Sequence, residues 1–321
     1  MNVNFLTDMT QLAIVIPCFN EEAVIADTAA EVLGILGDLV RREVIADGSF
    51  VLFVNDGSSD GSWQLISKLH SQHKEVKGLN LLCNVGQQNA IMAGMMTVRE
   101  RVDAVVTIDA DLQDDITRLE EMLRLYHEGC DVVYGVRESR EVNGFFKRTS
   151  ARLFYRLQRA LGVRNVDNHA DFRLLSRRAL NELAQYKERV LYLRGIVPLL
   201  GLPSAEVRYR FRPRKAGTSK YTPGKMVNLG VNGITGFTAK PINYIIGTGC
   251  LFLVVSFFMM LYIFWSFIAG RAVSGWTSIM LSLWFIGAMI LLSIGVIGKY
   301  IANIFAEVKH RPLYHIGDFL D

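Results

Sequence analysis

The stretch Ala104–Asp115 reads AVVTIDADLQDD. A short apolar run passes directly into four carboxylates, Asp109, Asp111, Asp114 and Asp115. A continuous run rich in β-branched residues is what a strand buried on both faces requires, as in a parallel sheet. Like charges this close repel one another, so a strand end that collects them implies a counter-ion. Asp109 and Asp111 lie two apart on a chain leaving its strand, so both can turn toward one divalent cation, and Gln113 can add a carbonyl oxygen. Hard oxygen donors suit Mg²⁺ or Mn²⁺, which complete their shells with water and phosphate oxygens. The rival is a calcium loop, and DGSSDGS (56–62) begins like one, but its twelfth position is Ser67 where a bidentate Glu is needed.

Outward from this stretch the same pattern recurs. LAIVIP (12–17), FVLFVN (50–55), GLNLL (78–82) and DVVYGV (131–136) read as further buried strands. Helical patterns fill the gaps at 25–40, 63–70, 88–98 and 116–126, which predicts a doubly wound, mostly parallel α/β sheet. Ligands of such sheets bind outside the carboxyl ends of the strands. Polar clusters stand at those ends: Asn20–Glu22, NDGSSDGS (55–62), CNVGQQ (83–88), DADLQDD (109–115) and Arg137. No GxGxxG follows the first strand, which argues against a dinucleotide site of the nicotinamide type.

Beyond residue 137 the chemistry changes. Residues 1–136 carry nine basic and 21 acidic side chains, a net −12, whereas residues 137–321 carry 26 and 10, a net +16. An acidic half suits a metal ion, and a basic half suits a phosphate-bearing substrate or an anionic lipid surface. Residues 145–161 form an amphipathic pattern with a basic face, and 206–212 alternates as an edge strand. Thr222 and Pro223 open a helical pattern over 222–240 with an apolar stripe of Met226, Leu229, Ile234 and Phe237, expected to lie in a membrane interface.

No charged residue occurs in 241–270 or in 272–298, and only a short loop around Arg271 separates the two runs. Each exceeds the roughly 20 residues a bilayer-spanning helix needs, which predicts a transmembrane hairpin over 241–302, with arms at about 242–269 and 276–299. Lys225, Lys240, Lys299, Lys309 and Arg311 flank its open side, so both chain ends are expected in the cytoplasm. The apolar run 12–17 lacks the basic flank and cleavage site of a signal peptide. Four scattered cysteines without CxxC spacing fit a reducing compartment.

Taken together, IPCFNEE (16–22), VNDGSSDGS, NVGQQNAIMAG, DADLQDD, ADFRLLS (170–176), LRGIVPLLG (193–201), RKAGTSKY (214–221) and EVKHRPLY (307–314) resemble the family 2 glycosyltransferases of the GT-A fold. More narrowly the chain resembles the bacterial polyprenyl-phosphate glycosyltransferases, which include the bactoprenol glucosyltransferases. The resemblance implies a catalytic domain over 1–221, an interfacial helix over 222–240, the hairpin, and a cytoplasmic tail over 303–321, set in a bacterial inner membrane. It implies transfer of a sugar from a nucleotide diphosphate to polyprenyl phosphate, with inversion at the anomeric carbon.

By the same resemblance, Pro17, Phe19, Glu21, Asp56 and Gln87 surround the nucleotide sugar, with Arg214 and Lys220 near its phosphates. Asp109, Asp111 and Gln113 hold Mg²⁺ or Mn²⁺. Arg137, Lys147, Arg148 and Arg173 serve the acceptor phosphate, and Asp171 is the active-site carboxylate, orienting groups or assisting proton transfer. The family usually carries Tyr where Phe19 stands, so a hydroxyl contact is lost there. LRGIVPLLG resembles the glucosyl branch and GQQNA the formamido-arabinose transferases. UDP-glucose is the expected donor, with UDP-GlcNAc, GDP-mannose and UDP-4-formamido-arabinose as alternatives. A processive synthase is disfavoured by the absence of Gln-x-x-Arg-Trp. A non-enzymatic nucleotide-sugar sensor or scaffold would have eroded metal ligands, and these are intact. The bilayer and a second copy of the chain are expected partners, and nucleic acid is not.

Overall fold

A computed structural model describes residues 9–137, 169–188, 192–210 and 275–321, with isolated positions between 245 and 258. The amino-terminal half alternates as its sequence pattern requires. Strand β1 (Leu12–Cys18) leads to α1 (Glu22–Arg41), β2 (Phe50–Asn55) to α2 (Ser62–Gln72), β3 (Val76–Leu81) to α3 (Gln87–Val98), and β4 (Ala104–Thr107) to a single 3₁₀ turn and α4 (Leu119–His127). Then come β5 (Val132–Arg137), β6 (His169–Ser176), α5 (Arg177–Leu183), α6 (Leu193–Leu199), β7 (Ser204–Tyr209), α7 (Trp276–Val308) and β8 (Ile316–Leu320).

The described strands form one sheet in the order β7-β5-β6-β4-β1-β2-β3-β8. Its centre, β4-β1-β2-β3, is parallel, and β1 and β2 are buried along almost their whole length, which is why they read as unbroken apolar runs. Helix α3 lies close on these strands. A Cβ at Gly94 would stand 2.5 Å from Val15 Cγ1 and 2.8 Å from Val54 Cγ2, so only glycine admits the approach.

Two features depart from the expected arrangement. Strand β5 does not adjoin β4. Strand β6 runs antiparallel between them, pairing Thr107 with Arg173 on one side and Tyr134 with Arg173 on the other. Being antiparallel to both neighbours, it starts at the edge where β4 and β5 end. Carried two residues beyond the paired segment, the β4–β6 register sets Asp171 opposite Asp109. The edge strand β7 spans 204–209, runs parallel to β5, and delivers Tyr209 beside Arg137 at that same edge.

The second departure lies at the end of the chain. Residues within the expected tail over 303–321 form β8, antiparallel to β3, with Gly78 paired to Leu320 and Asn80 to Asp318. Lys77 and Arg101 both form ion pairs with Asp321. The interfacial helix expected over 222–240 lies outside the described residues, as does the first arm of the hairpin apart from isolated positions. Helix α7 covers the second arm and runs about 50 Å at 1.5 Å per residue. Among the described residues no helix is long and apolar enough to cross a membrane, so the hairpin is not shown.

Strand β8 covers the polar edge of β3, so its removal exposes a row of unpaired backbone groups. A chain ended after Tyr314 is expected to melt about 5 °C or more below the full chain, on a scale of about 2–4 °C per kcal/mol for a domain of this size. An unchanged melting temperature in detergent would show that β8 contributes nothing to the fold.

Candidate active site

The four carboxylates after β4 are separated by the fold into three environments. Asp115 caps the following turn, its Oδ1 accepting from the Thr117 hydroxyl at 2.7 Å and amide at 3.3 Å. Asp114 is fully buried, and its Oδ1 accepts from the Tyr209 hydroxyl at 2.5 Å and from Arg137 Nε at 3.0 Å, with Arg137 Nη2 at 2.8 Å. Asp109 and Asp111 remain at the crevice. The loop between them is fixed from below by Thr28, whose hydroxyl donates to the Ala110 carbonyl at 2.6 Å. Leu112 takes a positive φ of 47°, and the Gln113 amide donates to Asp111 Oδ1 at 3.3 Å.

Facing Asp109 is a second anion. Asp171 is 4% exposed and lies at the start of β6. Arg173 Nη2 donates to its Oδ1 at 2.8 Å, and Arg194, from the first turn of α6, donates Nε to Oδ1 at 3.2 Å and Nη2 to Oδ2 at 3.4 Å. Two glutamines at the start of α3 join the carboxylates. Gln87 Nε2 donates to Asp109 Oδ1 at 2.7 Å and to Asp171 Oδ2 at 3.4 Å. Gln88 Nε2 donates to Asp171 Oδ2 at 3.3 Å, while its Oε1 accepts from the Leu193 amide at 3.1 Å.

These surroundings push the two acids in opposite directions. Burial raises the Asp171 carboxyl, but the guanidiniums of Arg194 and Arg173 outweigh it and hold the group well below the usual carboxylate range. Asp109 is raised to about 8, first by burial and then by the charges of Asp171, Asp114 and Asp111, against a lowering by Arg137. The two acids are thus biased apart, Asp171 toward its ionised form and Asp109 toward its protonated one.

No group of three or more His, Cys, Asp or Glu in metal-holding geometry occurs among the described residues. Asp109 and Asp111 nonetheless fit a Mg²⁺- or Mn²⁺-type ion, which uses one or two carboxylates and leaves the rest of its shell to water and phosphate. The raised Asp109 is the sign of an anionic cluster short of positive charge.

The loops after β1 and β2 are laced together. Asn20, with φ 53°, receives the Ser59 amide on Oδ1 at 2.8 Å and donates its own amide to Ser58 Oγ at 2.9 Å. The Glu21 amide donates to Ser62 Oγ at 3.0 Å. Pro17 lies half-buried at the end of β1, and Phe19 just beyond it is exposed.

Asp56, expected beside the nucleotide base, is 2% exposed and accepts the amides of Val85 at 2.7 Å and Gly86 at 3.0 Å. The structure therefore places it as the support of the loop that aims Gln87. Gly57 (φ +62°) completes that contact, since a Cβ there would lie 2.5 Å from the Asn84 backbone nitrogen.

One further expectation is corrected. Arg173 is not at hand for an acceptor phosphate: it is 2% exposed and spent on Asp171 and, at 3.3 Å, the Leu193 carbonyl. Asp171 sits between two arginines and orients Arg194. Arg194 was missed. It lies in LRGIVPLLG, quoted only for its resemblance, and nothing local marks it as the partner of Asp171, 23 residues earlier. Lys147, Arg148, Arg214 and Lys220 lie outside the described residues.

A family model described as glycosyl transferase family 2 matches residues 13–184. The chain is 47% identical over 305 residues to an uncharacterized glycosyltransferase, YkoT, of Bacillus subtilis, covering 95% of this chain and 90% of that one. It is 33% identical over 313 residues to the bactoprenol glucosyl transferase of Shigella phage SfV, covering 95% and 98%.

The raised Asp109 sets a pH dependence. Between its unfolded value near 3.8 and about 8 the folded chain binds the extra proton, so without a cation that stabilisation is complete at low pH and is lost as pH rises through about 8. Melting temperatures in EDTA should therefore fall between pH 5 and pH 8.5. Asp109→Asn should flatten that decline and melt above the wild type at pH 8.5. Parallel pH profiles for the two proteins would reject the assignment.

Proposed function

The chain belongs to glycosyl transferase family 2, and from that premise we propose that it moves glucose from UDP-glucose to a polyprenyl phosphate, inverting the anomeric centre. The observation that carries the reading is the pairing, across one crevice, of a cation-deficient acidic pair with partly exposed arginine side chains from two elements, Arg137 and Arg194. That is the charge pattern for a substrate pair made of a metal-bound diphosphate and a second phosphate. The name of the phage relative supports lipid-linked glucose in particular.

Asp109 and Asp111, with Gln113, would hold the divalent cation. The cation supplies Lewis-acid stabilisation of the charge that develops on the departing nucleoside diphosphate. Arg137 Nη2, 4.0 Å from Asp109 Oδ2 and one-third exposed, adds positive charge where the acceptor phosphate has to approach. Gln87 fixes the Asp109 carboxylate, and Asp171 fixes Arg194 at the crevice. A phosphate monoester has its second pKa near ~6, so its attacking oxygen is already largely anionic at neutral pH. No side chain has to remove a proton from such a nucleophile. Attack opposite the leaving group turns an α-linked donor into a β-linked product.

Membrane attachment belongs to the same reading. Strand β8 is in the sheet with β1 to β7, so the chain between Tyr209 and Ile316 returns to the side it left. Any crossing by α7 therefore requires a second crossing within residues 211–274, which contain the uncharged run 241–270. Ile279, Leu283, Ile286, Ile290, Ile294, Ile297, Ile301 and Ile304 form an exposed apolar stripe along α7 at three- and four-residue spacing. Such a stripe is costly in water and natural in lipid. The basic residues flanking the open end favour the cytoplasmic face.

Two measurements test this. Membranes containing the chain, given labelled UDP-glucose and polyprenyl phosphate, should yield an organic-soluble labelled product. EDTA or Asp111→Asn should cut the rate about a thousandfold or more, the loss of several kcal/mol of transition-state stabilisation. Activity surviving EDTA overturns the cation's role, and label from another nucleotide sugar alone overturns glucose. In intact cells, a cysteine at Ser274 should react with an impermeant maleimide and one at Asp318 should not; the reverse would put the crevice on the outer face.

A further inference from the structure

We propose that Tyr209 and Asp114 are positioning residues that aim Arg137 at the acceptor phosphate. This rests on the assignment of Arg137 in the proposed function. Three separate elements meet here: the loop after β4 brings Asp114, the end of β5 brings Arg137, and the end of β7 brings Tyr209. Arg137 and Tyr209 are register partners on adjacent parallel strands.

The bracket is tight and buried on its inner side. Asp114 Oδ1 takes the Tyr209 hydroxyl at 2.5 Å, Arg137 Nε at 3.0 Å and Arg137 Nη2 at 2.8 Å. Arg137 Nε also lies 3.2 Å from the Tyr209 hydroxyl oxygen, which accepts from it. Tyr209 is 1% exposed, and its ring meets Phe172 edge-on at 5.6 Å. Gly135 keeps space for that ring, since a Cβ there would sit 3.0 Å from Tyr209 Cε1 and 2.7 Å from the Phe172 ring.

The arrangement is an expensive way to build a core. A buried ion pair replaced by apolar residues of similar volume is often neutral or stabilising. Here the cost is higher still, because Asp114 Oδ2 is buried with no hydrogen-bond partner among the described residues. What the network does accomplish is direction. A guanidinium is planar, so fixing Nε and Nη2 on one carboxylate fixes the plane and heading of the whole group. The side chain is 33% exposed, and its Nη2 reaches to 4.0 Å from Asp109 Oδ2. A lysine at 137 would bring the same charge without a fixed heading.

The test uses the full chain in detergent with UDP-glucose and a short-chain polyprenyl phosphate. Tyr209→Phe removes one hydroxyl and keeps the packing. It should raise the acceptor KM about tenfold, the worth of one misaligned charged hydrogen bond, while kcat and calorimetric UDP affinity stay within about twofold. Asp114→Asn should act in the same direction and more strongly. In the Arg137→Lys background Tyr209→Phe should add nothing, because the orientable fork is already gone.

If Arg137→Ala leaves the acceptor KM unchanged, the assignment of Arg137 fails, and the bracket with it. If Arg137→Ala raises that KM while Tyr209→Phe leaves it alone, even with a lowered melting temperature, the bracket alone fails and Tyr209 is structural. An additive double variant also overturns it. Absence of any transfer to lipid phosphate by the wild type overturns both readings.

Discussion

Negative charge crowded at one strand end is the constraint around which the rest of this chain is arranged. Asp109, Asp114 and Asp171 cannot all ionise together without compensation, and the fold compensates them unequally. Asp171 receives two guanidiniums and Asp114 receives one with a phenol, while Asp109 receives a glutamine and a distant arginine. The deficit is thereby concentrated at one oxygen-rich point. An uncompensated anion is unstable in the free chain, and that same property makes the point attractive to a cation and its diphosphate. Of the arginines that neutralise the neighbours, the partly exposed Arg137 and Arg194 are the ones that would meet a second phosphate.

The parallel centre of the sheet was legible because burial on both faces leaves an unbroken apolar pattern, as in Phe50–Asn55. The carboxyl-edge loops were legible because turn chemistry and charge interrupt those runs abruptly. The insertion of β6 was not. HADFRLLS contains two charged residues, and nothing local reveals that Arg173 is buried against Asp171 or that the strand runs antiparallel. Tyr209 lies within 206–212, a stretch whose alternation marks an edge strand and nothing more. Its partner Asp114 is 95 residues away, so sequence spacing carries no trace of the bond between them. Asp56 shows a role the motif did not reveal: its buried oxygens accept backbone amides of the loop that leads into α3.

Glutamines at 87 and 88 illustrate how position converts an ordinary side chain into part of a site. Gly86, with φ +88°, turns the chain into α3, and Asp56 fixes the amides on either side of that turn. The first helical residues then point their amide groups at Asp109 and Asp171. A neutral donor stabilises a carboxylate without adding charge that would compete with a cation. A lysine at 87 would satisfy Asp109 so well that the cation would have to displace it.

The same logic of fixed direction reaches the far end of the sheet. An Asp carboxylate can only accept, so Asp318 Oδ2, 3.3 Å from Asn80 Nδ2, orients that amide group toward the terminal strand. Asn80 must then turn its oxygen inward, where Asn55 Nδ2 donates to it at 2.7 Å. Asn55 in turn presents its own oxygen to the Ser58 amide at 3.4 Å, in the loop that carries Asp56. Two amide side chains thus link β8 to the loop after β2 by one consistent choice of orientation. No apolar pair in those positions has a direction to transmit. The terminal strand consequently contributes more than an edge cover: it helps decide how the first loops of the crevice are held, across 238 residues of sequence.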